Sequence, residues 1–379
     1  MKQAGTTLLI SVAGLLALGL VMLYSSSMAD RGARLLLLQL AWAGLGILGC
    51  IVAAAVDYQR LKKWSWVLLV VAVVMLALVL VPHIGRKIGG ARRWFDFGPA
   101  NFQPSEFAKI ALIFAVAAYC DWQRRHMDTF VRGLVWPSAL IGVVLALIFV
   151  EPDRGTTILL GGVTASMLLV AGIKLRYVVL PIAAGAAVVV WSILHDPLRM
   201  ARVESWLKLI RLDPDVRITD ADWQVWQGIL AFGAGGTGGV GLGEGRQKLG
   251  FLPEHHTDFI LPVVGEELGI VASLFVVVAF LALFWSGITI AWRARDMFGR
   301  LVACGITFLI AYQAFINIAV VTSILPNKGL PLPFISYGGS NLLMTLTAVG
   351  LLLSVARHSD DSVLAPHPSP ARTRPLPMR

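Results

Sequence analysis

The chain has 379 residues, is 57% hydrophobic and only 14% charged, and carries a formal net charge of +10. A soluble domain is nearer half apolar and about a quarter charged, so the apolar excess and a mean hydropathy of +0.76 place this chain in lipid and exclude a water-soluble globular enzyme. The positive charge by itself says only that anionic lipid or an anionic substrate is attracted.

Crossing a hydrocarbon core of roughly 30 Å takes about 20 apolar helical residues. Runs of that kind lie near 6–26, 35–57, 64–82, 103–121, 131–150, 156–173, 177–194, 259–290, 299–324 and 339–357. The expected architecture is an all-α polytopic membrane protein of about ten spans, both termini on one side. The first run, Thr6 to Ser26, is long enough to span and is expected to stay as a helix rather than be cleaved. One long extracytoplasmic loop, residues 195–258, separates the seventh and eighth spans. The membrane domain is expected over 1–357, followed by a Pro-rich tail, 358–379, whose composition predicts disorder. No internal repeat supports an inverted-repeat transporter.

Short-loop cations Lys62, Lys63, Arg124, Arg125, Arg132, Lys174, Arg176, Arg293, Arg295 and Arg300 share one side, which the positive-inside rule makes cytoplasmic. The other side also carries Arg86, Lys87, Arg92, Arg93, Arg199, Arg202, Lys208, Arg211, Arg246, Lys248 and Lys328. Most of these lie in the long loop, where translocation is less sensitive to charge. Cations kept outside point either to an anionic ligand or to lipid headgroups. Cys50, Cys120 and Cys304 are scattered through apolar runs with no metal-type spacing.

Charged groups inside the bilayer need a partner or a purpose. Glu106 and Lys109, at i and i+3 of the fourth run, can neutralise each other as a structural ion pair. Arg92-Arg93-Trp94, after Gly89 and Gly90, reads either as an aromatic belt with snorkelling arginines or as a phosphate clamp. Glu151-Pro152-Asp153-Arg154 is a turn whose Asp153 suits a helix cap. Gln227 precedes a Gly-dense run, 233–243, that lacks the Walker A pattern. Its backbone amides could approach a ligand closely, or it is a re-entrant turn.

The richest cluster is Gln247-Lys248 through Pro253-Glu254-His255-His256-Thr257-Asp258, just outside the eighth run. An Asp at a helix entry is a cap in the plainer reading. The adjacent histidines lack the i,i+4 spacing of a helical zinc site, so no structural zinc is expected. Residues 325–341, with Lys328, Ser336, three prolines and three glycines, interrupt the apolar pattern. Nonhelical backbone at that depth is either a re-entrant connection or a cavity wall.

Taken together, Arg92-Arg93-Trp94, Gln103-Pro104-Ser105-Glu106, Pro253-Glu254 with His256-Thr257-Asp258-Phe259, Gly265-Glu266-Glu267-Leu268-Gly269 and Ser336-Tyr337-Gly338-Gly339-Ser340 resemble, in order and topological place, the SEDS family of shape, elongation, division and sporulation proteins. Gln247-Lys248-Leu249 and Pro326 with Lys328-Gly329-Leu330 are more similar to its division branch than to its elongation branch. Asn327, Asn341, Glu151 and Arg154 depart from the usual pattern.

The resemblance implies a peptidoglycan glycosyltransferase that polymerises lipid II at the outer face of the cytoplasmic membrane during division. It implies Asp258 as the catalytic carboxylate, acting as general base or positioning a divalent cation, Mg or Mn. Substrate contacts are expected from Arg93, Asp153, Arg202, Gln227, Arg246, Lys248, Glu254, His256, Lys328 and Ser336. No tightly bound cofactor and no nucleic-acid partner are expected. No SxxK with KTG set is present, so a class B penicillin-binding protein should supply the transpeptidase, alongside other division proteins. A lipid II flippase and a noncatalytic division scaffold are the alternatives.

Overall fold

The computed structural model describes residues 1–88, 91–98, 101–210 and 220–364. In chain order it holds α1 (Lys2–Arg31), α2 (Arg34–Ala55), the short α3 (Tyr58–Lys62), α4 (Ser65–Leu80), β1 (Gly85–Ile88), β2 (Ala91–Asp96), β3 (Asn101–Phe102), α5 (Pro104–Trp122), a π-helical turn (Phe130–Val135) that runs into α6 (Trp136–Val150), α7 (Arg154–Val170), α8 (Leu175–Leu194), α9 (Pro197–Ile210), α10 (Asp220–Gly235), α11 (Ile260–Trp292), α12 (Met297–Val321) and α13 (Gly339–Leu364). Helix α13 packs on α2, α1 and α12 both pack on α11, and α4 packs on α5.

The chain is a multi-pass helical membrane protein, but the expected ten spans are not all met. Among the described residues, seven helices are long and apolar enough to cross a bilayer: α1, α2, α6 with its π turn, α8, α11, α12 and α13. The other three occupy their expected places and fall short for different reasons. Helices α4 and α7 are apolar but only 16 and 17 residues long. Helix α5 has the length, yet carries Glu106, Lys109 and Asp121. Its surroundings explain the charge: residues 104–106 and 108–120 are all buried, so protein rather than lipid surrounds them, as for a helix hidden on every side.

Two other expectations are revised. A three-stranded antiparallel sheet, order β1-β2-β3, pairs Gly85 with Phe95 and Phe95 with Phe102. Strands this short leave too little alternation to be told from an interfacial aromatic belt. The long loop contains α9 and α10, and the tail is helical through Leu364. Residues 365–379, Gly89, Gly90 and Arg211 lie outside the described residues.

The Gly-dense run is a structural wedge. Helix α10 packs along α11, and residues 236–241 enter a break in it, where Val240 and Gly241 N–H donate to the Glu266 and Glu267 carbonyls and Ile270 N–H donates to Gly236. The break falls at Gly269, with φ 77° and ψ −175°, a region essentially closed to other residues. A Cβ there would lie 2.5 Å from both the Gly239 nitrogen and the Thr237 oxygen. Both carboxylates of the neighbouring acidic pair cap the same run. Glu266 accepts from Arg246 and Gln247 N–H, and Glu267 accepts from Gly243 N–H at 2.9 Å.

Lys109 Nζ meets Glu106 Oε1 and Oε2 at 2.8 and 2.9 Å with both side chains buried. Gln313 Oε1 accepts from Lys109 at 3.2 Å, and Asn341 donates to Glu106 at 3.0 Å. The pair therefore ties α5 to α12 and α13. Deleting one member strands the other charge, which costs about 3–5 kcal/mol. Lys109→Met should lower thermal stability in detergent by that amount, whereas Glu106→Gln with Lys109→Met should recover most of it. Gly269→Ala should cost about 2–3 kcal/mol in the same unfolding assay, and an unchanged midpoint would mean the α11 break carries no strain.

Candidate active site

Three nonhelical segments meet at one end of the bundle. The turn 151–153 leaves α6, residues 253–258 enter α11, and residues 325–338 join α12 to α13. The last two are tied together by side chains on α12 and within the segments themselves. Asn317 Nδ2 donates to the carbonyls of Asp258 at 2.8 Å and Leu330 at 2.7 Å. One turn earlier, Gln313 donates to Pro331 at 2.8 Å. Ser336 Oγ donates to Thr257 O at 2.6 Å and accepts from Leu332 N–H at 2.7 Å, while Tyr337 N–H donates to His256 O.

This clamp holds Asp258 two residues before the start of α11. The helix is capped by Phe259 without any side-chain cap bond, so Asp258 is not a cap. Its Oδ2 faces Gly329, close enough that a Cβ on that glycine would sit 2.6 Å away. The carboxyl is pushed up to about 7, first by burial and then by Glu254 and Asp153, with Arg93 opposing. A carboxyl in this range can accept a proton near neutral pH.

Gly329 is also part of the wall of a cavity of about 190 Å³ lined by Arg93, Asp153, Arg154, Arg202, Asn327 and Lys328. Four cations and one carboxylate make it an anion site by charge. Arg93 is aimed by the turn: its Nε donates to Glu151 O at 2.9 Å, its Nη2 to Pro152 O at 2.7 Å, and its Nη1 lies 3.8 Å from Asp153. Asp153 also caps α7 through Thr156 N–H at 3.0 Å, as the helix-cap reading expects, while lining the cavity. The fully buried Glu151 carboxyl is raised to about 8 by burial first and Asp153 second. It is therefore mostly neutral at pH 7 and takes little from the positive field. Burial lowers Lys328 from its ordinary value, with Arg154 adding to the effect; an arriving anion would offset both.

Arg93, Asp153, Arg202 and Lys328 thus line one cavity, with Asp258 against its Gly329 wall. Glu254, exposed and at φ 54°, acts on Asp258 by charge. His256 and Ser336 serve the clamp. Lys248, expected as a substrate contact, does not line this cavity: it is buried, and its three N–H donors go to Glu267 at 2.6 Å, Gly243 O at 2.8 Å and Ser25 at 2.9 Å. Gln227 is buried in α10 and Arg246 is exposed just after the Gly-dense run, neither of them lining the cavity. The sequence reading passed over Arg154, Asn327, Gln313 and Asn317 as site residues. The last two are polar residues four apart within an apolar helix, a signal that intramembrane polarity alone would have flagged.

Among the described residues no three His, Cys, Asp or Glu groups are placed to hold a metal ion. The protein therefore does not offer a complete cation site at Asp258; a divalent ion there would draw most of its ligands from substrate and water.

The family model described as "Cell cycle protein", covering FtsW, RodA and SpoVE, matches residues 6–361. The probable peptidoglycan glycosyltransferase FtsW of Trichlorobacter lovleyi is 42% identical over 355 residues, 92% of either chain. Stage V sporulation protein E of Bacillus subtilis is 37% identical over 351 residues, covering 91% of this chain and 94% of that one. Among solved structures, a chain from a study of how a peptidoglycan synthase complex coordinates polymerization and crosslinking superposes with TM-score 0.74 at 31% identity, covering 93% and 97%. The rod shape determining protein RodA of Thermus thermophilus superposes with TM-score 0.69 at 27% identity, covering 93% and 96%. Family match, full-length relatives and shared architecture agree, and the chain belongs to the SEDS family of FtsW- and RodA-like cell cycle proteins.

Proposed function

We propose that this protein is the division-type peptidoglycan glycosyltransferase of its cell, polymerising lipid II into glycan strands at the outer face of the cytoplasmic membrane and releasing undecaprenyl pyrophosphate. The observation that carries the reading is the placement of Asp258, a carboxyl titrating near 7, against the Gly329 wall of a cavity lined by four cations. In the reaction, the 4-hydroxyl of one disaccharide attacks the anomeric carbon of another. Asp258 takes the hydroxyl proton as the new glycosidic bond forms, and the bond to pyrophosphate breaks. Arg93, Arg154, Arg202 and Lys328 hold the departing charge by electrostatic stabilisation, with guanidinium groups suited to paired phosphate oxygens.

The membrane setting follows from the substrate. A polyprenyl tail lies along apolar helices while its headgroup meets the cations beyond them. Ten spans, with α4, α5 and α7 counted among them, put both termini in the cytoplasm and the cavity outside, in agreement with the positive-inside count. The membrane domain ends near residue 357. The transpeptidase is a class B penicillin-binding protein, since the chain lacks the combined SxxK and KTG set of a penicillin-binding domain. A chain of similar fold was solved in a study of a complex that polymerises and crosslinks.

Polymerisation of purified lipid II with the partner transpeptidase, under nonlimiting divalent cation, should fall roughly 100-fold or more in Asp258→Asn at equal folding and complex formation. Equal rates would show that the site is wrong, and an inactive wild type would favour a flippase or scaffold. The same assay has a pH signature. Asp258 is raised, so the ionised base is lost as pH falls through about 7. In wild type, kcat/KM should climb about tenfold per pH unit below that point and level off above it; a flat profile would remove Asp258 as the titrating base.

A further inference from the structure

On the face away from Asp258 lies a second concavity, about 670 Å³, between the ends of α4, α5 and α6. Its sidedness follows from helix direction. Helix α5 starts beside the site, where Gln103 donates to Asp153 at 3.3 Å, and its other end, 19 residues on, is roughly 28 Å away at 1.5 Å per residue.

The groove has the makeup of a lipid site. Trp66, Trp122 and Trp136 stand at its rim with 44%, 74% and 62% exposure, and Val143 extends the apolar wall toward the bilayer centre. Indole rings at such a level sit naturally among headgroups. Arg132 is its one cationic lining residue. It lies in the π-helical turn, a backbone form that departs from the ordinary ladder and frequently marks a functional position. The turn is held by Tyr119 Oη, which donates to Arg132 O at 2.6 Å.

The guanidinium itself is exposed and makes no ion pair among the described residues. The nearby acids are engaged: Asp121 pairs with Lys62, and Asp128 lies 3.8 Å from Lys174. Exposed Arg124 and Arg125 follow directly after α5. The mouth is thus basic while the walls are hydrocarbon-like. That combination matches an acyl chain with a phosphate at its head, and basic pockets between helices on the cytoplasmic side recognise anionic headgroups.

We propose that this groove is a binding site for an anionic glycerophospholipid of the leaflet opposite Asp258, with one acyl chain between α4 and α6 and its phosphate on Arg132. The site is separate from the polymerisation cavity and does not depend on that assignment.

The test is native mass spectrometry of the full-length protein in detergent with phosphatidylglycerol, cardiolipin and phosphatidylcholine supplied at equal concentration. Arg132→Gln removes the charge, and Ala139→Phe fills the groove from its lining without touching the charge; elution profile and thermal midpoint report folding. Wild type should retain one anionic lipid about fivefold over phosphatidylcholine, the preference expected of a single basic contact. Arg132→Gln should lose the preference, and Ala139→Phe should lose the adduct for every lipid. Equal retention of all three lipids by wild type, or an anionic adduct that survives Ala139→Phe, would overturn the proposal. So would an Ala139→Phe protein that keeps its lipid but loses its transpeptidase partner, since the groove would then be a protein-docking surface.

Discussion

A charge pair that had to be hidden from hydrocarbon ties α5 to the two helices between which the clamp on the Asp258 segment is built. Glu106 and Lys109 lie inside the bundle, where an unpaired ion is costly and even a paired one needs its remaining lone pairs and protons satisfied. The chain satisfies them with Gln313 and Asn341. One of them, Gln313, does a second job. Gln313 also fixes Pro331, and Asn317, one turn along α12, fixes both Asp258 and Leu330 through their carbonyls. Helix α12 thus carries, one turn apart, a group that satisfies the buried pair and a group that fixes the segment bearing Asp258.

The site itself is an exercise in unequal environments. Asp258 is raised to about 7 because burial and neighbouring carboxylates disfavour its charge more than Arg93 favours it. Glu151, deeper still, is raised further and is mostly neutral at pH 7. With that carboxyl silenced, Arg93, Arg154, Arg202 and Lys328 outweigh Asp153 and keep the cavity positive. One base that titrates near neutrality beside a field ready for pyrophosphate is what a glycosyl transfer from a lipid-linked donor requires.

The two faces of the molecule divide the work. In the half that holds Asp258, nonhelical backbone is tolerated because protein encloses it: the Gly-dense run is threaded into the break of α11 and held by Glu267, while Glu266 takes the next N–H groups along the chain. On the opposite face, the aromatic rim and Arg132 grip lipid rather than substrate, anchoring α4, α5 and α6 where their ends meet the headgroups.

The amino-acid sequence by itself determined that the chain lives in a membrane, where most helices run, that Glu106 and Lys109 pair, and that polar residues gather around Asp258 and Lys328. These are local properties: apolar runs, i,i+3 spacing and polar groups stranded in apolar surroundings are legible without knowing what packs where. It did not reveal that α5 is central rather than lipid-facing, nor that residues 85–102 form a sheet, because burial is a property of neighbours distant in the chain. Lys248 shows the limit best. In sequence it is a cation beside an acidic cluster, indistinguishable in kind from Lys328. Only the tertiary structure decided that Lys248 folds inward onto Glu267, with all three of its donors taken, while burial leaves Lys328 lining the cavity that Asp258 overlooks. A charge next in sequence to a site can be used up by a partner that the fold alone brings within reach.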